Sequence, residues 1–115
     1  MSTTKAKAIK LTVGDEKDKK EYILEYDRGA ILRMADEGFS LGKFQDNTVG
    51  LTPLLFQGAF YKRQKWMSAK DINPLWDTIG NKEAFVGKLI EMYSEQVNEM
   101  YGEPDESKKA MWEVI

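Results

Sequence analysis

The stretch "LTPLLFQGAFY", Leu51 to Tyr61, constrains this chain more than any other. At helical spacing Leu51, Leu54, Leu55 and Gly58 share one side, and Phe56, Ala59 and Phe60 cover most of the next. A helix apolar over that much of its circumference lies at the centre of a core or at an interface. Gly58 and Ala59 are small enough for another backbone to approach closely. Thr52 and Pro53 read as an N-cap and first helical position, with an earlier start near Thr48 as the alternative. The three cations of "KRQKW", Lys62, Arg63 and Lys65, then arrive where this helix is expected to end, and positive charge there suits its dipole.

The rest of the chain supplies what such a helix needs around it. "AIKLTV" alternates, with Ile9, Leu11 and Val13 on one side, and "EYILEY" places Tyr22, Leu24 and Tyr26 on one face. With the charged "GDEKDKK" between them, the pair reads as a hairpin over residues 8–26 with a solvated loop. A lone hairpin is marginal in water, so its apolar face must lie on the helices. Asp27 caps a short helix within 28–37 that stops at Gly38. "FSLGKFQDN" reads as a loop pinned by Phe39, Leu41 and Phe44. A further helix is expected within 48–64. Ser68 and Asp71 resemble a capping box, and Asn73-Pro74 offers a second start, so 69–79 is one kinked helix or two short turns. The longest helix, within 82–101, carries Phe85, Leu89, Met92, Val97 and Met100 along one stripe, widened by Val86, Ile90, Tyr93 and Tyr101. Gly102 and Pro104 end it. The expected class is α+β: an N-terminal β-hairpin packed on a mostly α-helical domain of about four helices. One globular domain is expected over 1–102, followed by a polar linker and an apolar tail over 103–115 in which Ala110, Met111, Trp112, Val114 and Ile115 cluster. A free tail ending in Trp and Ile is a liability, so it is expected to dock on its own domain or on a neighbour.

Composition narrows the function. The chain of 115 residues contains no His and no Cys. That removes the commonest general base, thiol nucleophiles, thiolate metal sites and disulfides together. The carboxylates do not replace them. Asp36 and Glu37 end a helix, and Glu91, Glu95 and Glu99 recur at a spacing that makes a solvated row. No pair with separated environments stands out, as acid–base work requires. No phosphate loop or calcium loop is present. No enzyme activity, cofactor or metal is therefore expected. A net charge of −2 argues against nucleic acid, and the longest apolar run is too short for a membrane span. "MSTTKAKAIK" lacks the apolar core of a signal peptide. Six Met and three Trp suit a surface that adapts to partner helices.

Taken in order, the hairpin "AIKLTV…EYILEY", "MADEGF", "PLLFQGAF", "NKEAFVGKLIEMY" and the closing "MWEVI" resemble the small tail assembly chaperones of long-tailed (siphovirus-type) phages or prophages of Gram-positive bacteria. The resemblance spans nearly the whole chain and rests on apolar patterning, clearest in "EGF", "LLFQGAF" and "MWEVI". It implies a protein that coats the helical tape measure protein and keeps it soluble until the tail tube polymerises. Self-association is implied too, with the major tail tube protein as a further candidate partner. Such a chaperone works in the host cytoplasm and is absent from the mature virion. Members of this family are often made in a longer frameshifted form as well, and the codons of Lys108-Lys109 are the candidate slip site. The residues expected at the partner surface are Leu55, Phe56, Phe60 and Tyr61, beside Trp66 and Trp76, with Met111 and Trp112 in the tail. The competing reading is a small regulatory or adaptor protein of a mobile element that binds a host protein or DNA.

Overall fold

A computed structural model describes residues 7–103 and 106–115; Pro104, the expected helix stop, lies outside them. Two antiparallel strands, β1 (Ile9–Val13) and β2 (Lys20–Leu24), form the N-terminal hairpin, in a register that opposes Leu11 to Tyr22 and Ile9 to Leu24. Its loop turns at Gly14, whose φ of +101° leaves a side chain no room: a Cβ would stand 2.2 Å from the Asp18 carbonyl oxygen. The Asp15 carboxylate fixes the turn by accepting from the backbone N–H groups of Lys17 and Asp18.

Among the described residues five α-helices follow: α1 (Arg28–Asp36), α2 (Leu41–Asp46), α3 (Thr48–Gly58), α4 (Ala69–Ile72) and α5 (Lys82–Met100). Asp27 caps α1 by accepting from Ala30 N–H at 2.7 Å. Gly38, at φ +99°, closes α1 with two reversed bonds, Gly38 N–H to Ala35 C=O and Phe39 N–H to Met34 C=O. That closure turns Phe39 inward, where it is buried.

The segment expected to be a pinned loop is pinned, but it is also helical. Ser40 accepts from Lys43 N–H and starts α2, which seats Phe44 5.8 Å from Phe39. Segment 69–79 resolves into two short pieces. The Ser68–Asp71 capping box opens α4, and Asn73-Pro74 starts a separate 3-10 turn, Asn73–Thr78.

The core is assembled around α3. Leu24, Met34, Leu55, Phe56, Phe60, Ile72 and Leu89 are its largest fully buried side chains, drawn from β2, α1, α3, α4, α5 and the turn after α3. The helix expected over 48–64 stops at Gly58, and the reason lies at Glu25, the residue after β2. The Ala59 carbonyl, which would accept from Arg63 N–H if the helix ran on, accepts instead from Glu25 N–H at 3.0 Å. Residues 59–63 therefore proceed as tight turns alongside the hairpin. Gln64 completes the junction: its buried amide donates to Ile23 C=O at 2.9 Å and accepts from Ile23 N–H at 3.1 Å. One side chain thus does for the outer edge of β2 what a third strand would do, and leaves less of that edge open to pairing.

Candidate functional site

The start of α3 determines the main surface feature. Asn47 accepts from Gly50 N–H at 3.1 Å and sets the start of the helix at Thr48. Thr48 and Thr52 donate their hydroxyls to the carbonyls of Phe44 and Thr48. Pro53 therefore sits inside the helix, not at its first position, and stays on the exposed side. With that start Val49, Thr52, Pro53 and Phe56 fall on one face at i, i+3, i+4 and i+7. Opposite them the 3-10 turn presents Asn73 and Trp76. Between the two lies an open, mainly apolar cleft of about 510 Å³.

Aromatic edges build its floor. Phe56 packs edge-on against Trp76 at 5.3 Å, Phe60 at 5.0 Å and Phe85 at 5.8 Å. Gln57 donates from its amide to the Asn73 carboxamide oxygen at 2.9 Å and ties the two walls together. Lys82 stands 5.9 Å from the centre of the Trp76 ring and donates to Ile79 C=O. Val49, at the mouth, is 88% exposed.

The expected partner residues separate into three groups. Leu55, Phe56 and Phe60 are buried in the core of the chain, and of the three Phe56 lends an edge to the cleft. Their helix is apolar nearly all round because it is central, the first of the two options its pattern allowed. Gly58 is small for the same internal reason: Met34 Sδ lies 2.2 Å from where its Cβ would be, so the close approach is by α1 of this chain. Tyr61 is half-buried and engaged, donating to Glu37 at 2.5 Å with the Arg33 guanidinium 3.7 Å over its ring. Burial and the Glu37 carboxylate both push its hydroxyl pKa up. Trp76 walls the cleft, and Trp66 is 74% exposed on the turn beyond Gln64. Met111 and Trp112 belong to the tail and stand exposed, Trp112 at 83%. Val49, Pro53 and Asn73 were not among the expected site residues. The expected helix range of 48–64 already contained their signal, the spacing of Val49, Pro53 and Phe56 at i, i+4 and i+7.

The basic run has a different employment from the one its position implied. α3 stops before it, so Lys62 and Arg63 do not serve that helix end. They clasp Glu25 instead, at 3.2 Å and 2.6 Å. Burial tends to raise the Glu25 pKa, but the hydrogen bonds and charges of Arg63 and Lys62 outweigh it and hold the carboxyl below its ordinary value. Among the described residues Lys65 makes no ion pair.

Among the described residues no group of three or more acidic side chains is placed to hold a metal ion, and no helix is long and apolar enough to cross a membrane. A family model matches the chain over residues 1–115. The chain belongs to the DUF5055 family. That family is described as a domain of unknown function. No curated protein and no solved structure matches this DUF5055 chain.

Proposed function

We propose that this protein is a phage tail assembly chaperone that binds the helical tape measure protein and keeps it soluble before the tail tube polymerises. The observation that carries the reading is the cleft. Its apolar walls, Val49, Pro53 and Trp76, lie over an aromatic floor, with Thr52 and Asn73 as the polar groups. Such a groove suits an amphipathic helix that inserts large side chains at i, i+3 and i+4. A long tape measure helix with an unburied apolar stripe is that kind of ligand, and covering the stripe removes what drives its aggregation. The likeness of the sequence to tail assembly chaperones supplies the identity of the partner. The exposed Trp66 and the apolar tail add surface of the same character.

Co-expression tests it. The wild-type chain should keep a tape measure protein in the soluble fraction, and Val49→Glu, which places a charge at the cleft mouth without touching the core, should lose most of that effect. Added salt should weaken the complex little, because apolar area carries it. An intact complex with Val49→Glu would reject the cleft. Dissociation at moderate salt would point to an anionic partner on the Lys65–Trp66 turn instead.

A further inference from the structure

Two features of the chain are each incomplete alone. The cleft is open and mainly apolar, and the tail "AMWEVI" holds Met111, Trp112, Val114 and Ile115 exposed. We propose that the tail of one copy docks in the cleft of a second copy, with Trp112 as the anchor between Val49, Pro53 and Trp76. The inference shares with the proposed function only the premise that the cleft binds; it does not depend on the tape measure protein.

The geometry favours a second copy over the chain's own cleft. Phe85, in the first turn of α5, packs on the cleft floor, whereas the tail leaves the far end of that helix beyond Met100. Those points stand about 22 Å apart along the helix axis at ~1.5 Å per residue. A fully extended linker from Tyr101 to Ala110 spans only about 33 Å, and the 3-10 turn Glu106–Lys108 shortens it further. Reaching its own cleft would require the linker to double back along α5 at about two-thirds of its full extension, and the tail is not placed that way: Met111, Trp112, Val114 and Ile115 stand exposed. The molecule instead measures 61 × 32 × 32 Å, with a radius of gyration of 16.4 Å. A compact domain of this size has about 13 Å.

Charge is mixed on both sides, with Lys82 beside Trp76 at the cleft and Glu113 in the plug, so each sign has a counterpart. Lys108 and Lys109 precede the plug, while Asp46, the last residue of α2, and Asp77, beside Trp76, neighbour the cleft residues in sequence. None of the four has an ion pair among the described residues. Plug and cleft are different surfaces, so the contact is heterologous: it closes if two copies exchange tails and propagates if they do not. A tail seated in the cleft also occupies the place proposed for the tape measure helix, so partner binding would release it.

Paired variants provide the test. Val49→Glu blocks the cleft but keeps the plug; Trp112→Asp removes the plug but keeps the cleft. Both positions are exposed, and circular dichroism with a thermal midpoint verifies folding. By light scattering after size exclusion, the wild type should associate with rising concentration. Each variant alone should remain a monomer, and an equimolar mixture should form a two-chain species. A wild type that is monomeric at every concentration overturns the inference. So does association that survives in either variant alone, or a mixture that stays monomeric, which would return the tail to its own cleft or to solvent. Co-solubilisation of a tape measure protein separates the two proposals. Trp112→Asp that is monomeric yet still protective supports both, whereas a wild type that self-associates without protecting strikes the chaperone reading alone.

Discussion

Tyr26 carries two consequences out of proportion to its size. Its hydroxyl donates to the Leu55 carbonyl at 2.6 Å. That carbonyl needs the donor, because at the end of α3 the Ala59 N–H turns to Phe56 C=O. Tyr26→Phe leaves a buried acceptor unpaired and should cost about 1–3 kcal/mol in denaturant unfolding. Burial, with the neighbouring Tyr93, pushes the Tyr26 pKa well above its ordinary 10.0. A raised folded pKa gives stability that is complete below the unfolded value and is lost as pH climbs past it. Stability should therefore fall above about pH 10, more shallowly in Tyr26→Phe than in wild type, as read from unfolding midpoints across that range. Gly58 makes the opposite point about volume. Alanine normally favours a helix over glycine by about 1 kcal/mol, but here its methyl would collide with a fully buried Met34. Overpacking should win, leaving Gly58→Ala destabilised by about 1–2 kcal/mol in the same measurement.

At the scale of elements, the junction between hairpin and helices is polar although the core beneath it is not. Glu25 N–H on Ala59, Gln64 on Ile23, and Lys62 with Arg63 on Glu25 join β2 to the turn after α3. Because Lys62 and Arg63 depress the Glu25 pKa, the carboxylate contributes stability above its ordinary value of 4.5 and loses it as pH falls below. Acid unfolding of wild type should accordingly steepen below about pH 4.5. Glu25→Gln should be less stable than wild type at pH 7 and should lose part of that acid limb, which titration of the unfolding midpoint measures. If the hairpin were held only by its apolar face, the two proteins would follow parallel curves.

For the whole molecule, the domain and its tail should be separable. The side chains of Met111, Trp112, Val114 and Ile115 are each more than four-fifths exposed, so removing residues 110–115 takes little buried area from the folded domain. At dilutions where the chain is monomeric, the truncated protein should melt within a degree or so of wild type. It should also have a radius of gyration closer to the about 13 Å of a compact domain, against 16.4 Å for the whole chain, by small-angle scattering. A large loss of melting temperature would place the tail on its own domain and contradict the exposed arrangement.

Periodicity along the sequence was sufficient for the α+β class, the two strands of the hairpin, the Asp27 and Ser68 caps, the Gly38 stop and the stripe of α5 up to Met100, although Tyr101, expected to widen that stripe, is exposed; each depends on neighbours within a turn or a strand. It also marked Leu51–Tyr61 as a segment that could not lie on an ordinary surface. Only tertiary structure decided what that segment faces. Leu55, Phe56 and Phe60 are buried because β2, α1 and α5 close around them, and a hydrophobic pattern is the same whether the covering surface belongs to the same chain or to another. The end of α3 was decided at a distance as well, by Glu25 taking the Ala59 carbonyl, and the basic run took its role from the same carboxylate. The cleft exists because Trp76, twenty residues beyond Phe56, folds back onto it. Local pattern determines which residues seek cover; long-range pairing of backbone and charge determines which of them find it and which stay exposed, as Val49 and Trp112 do.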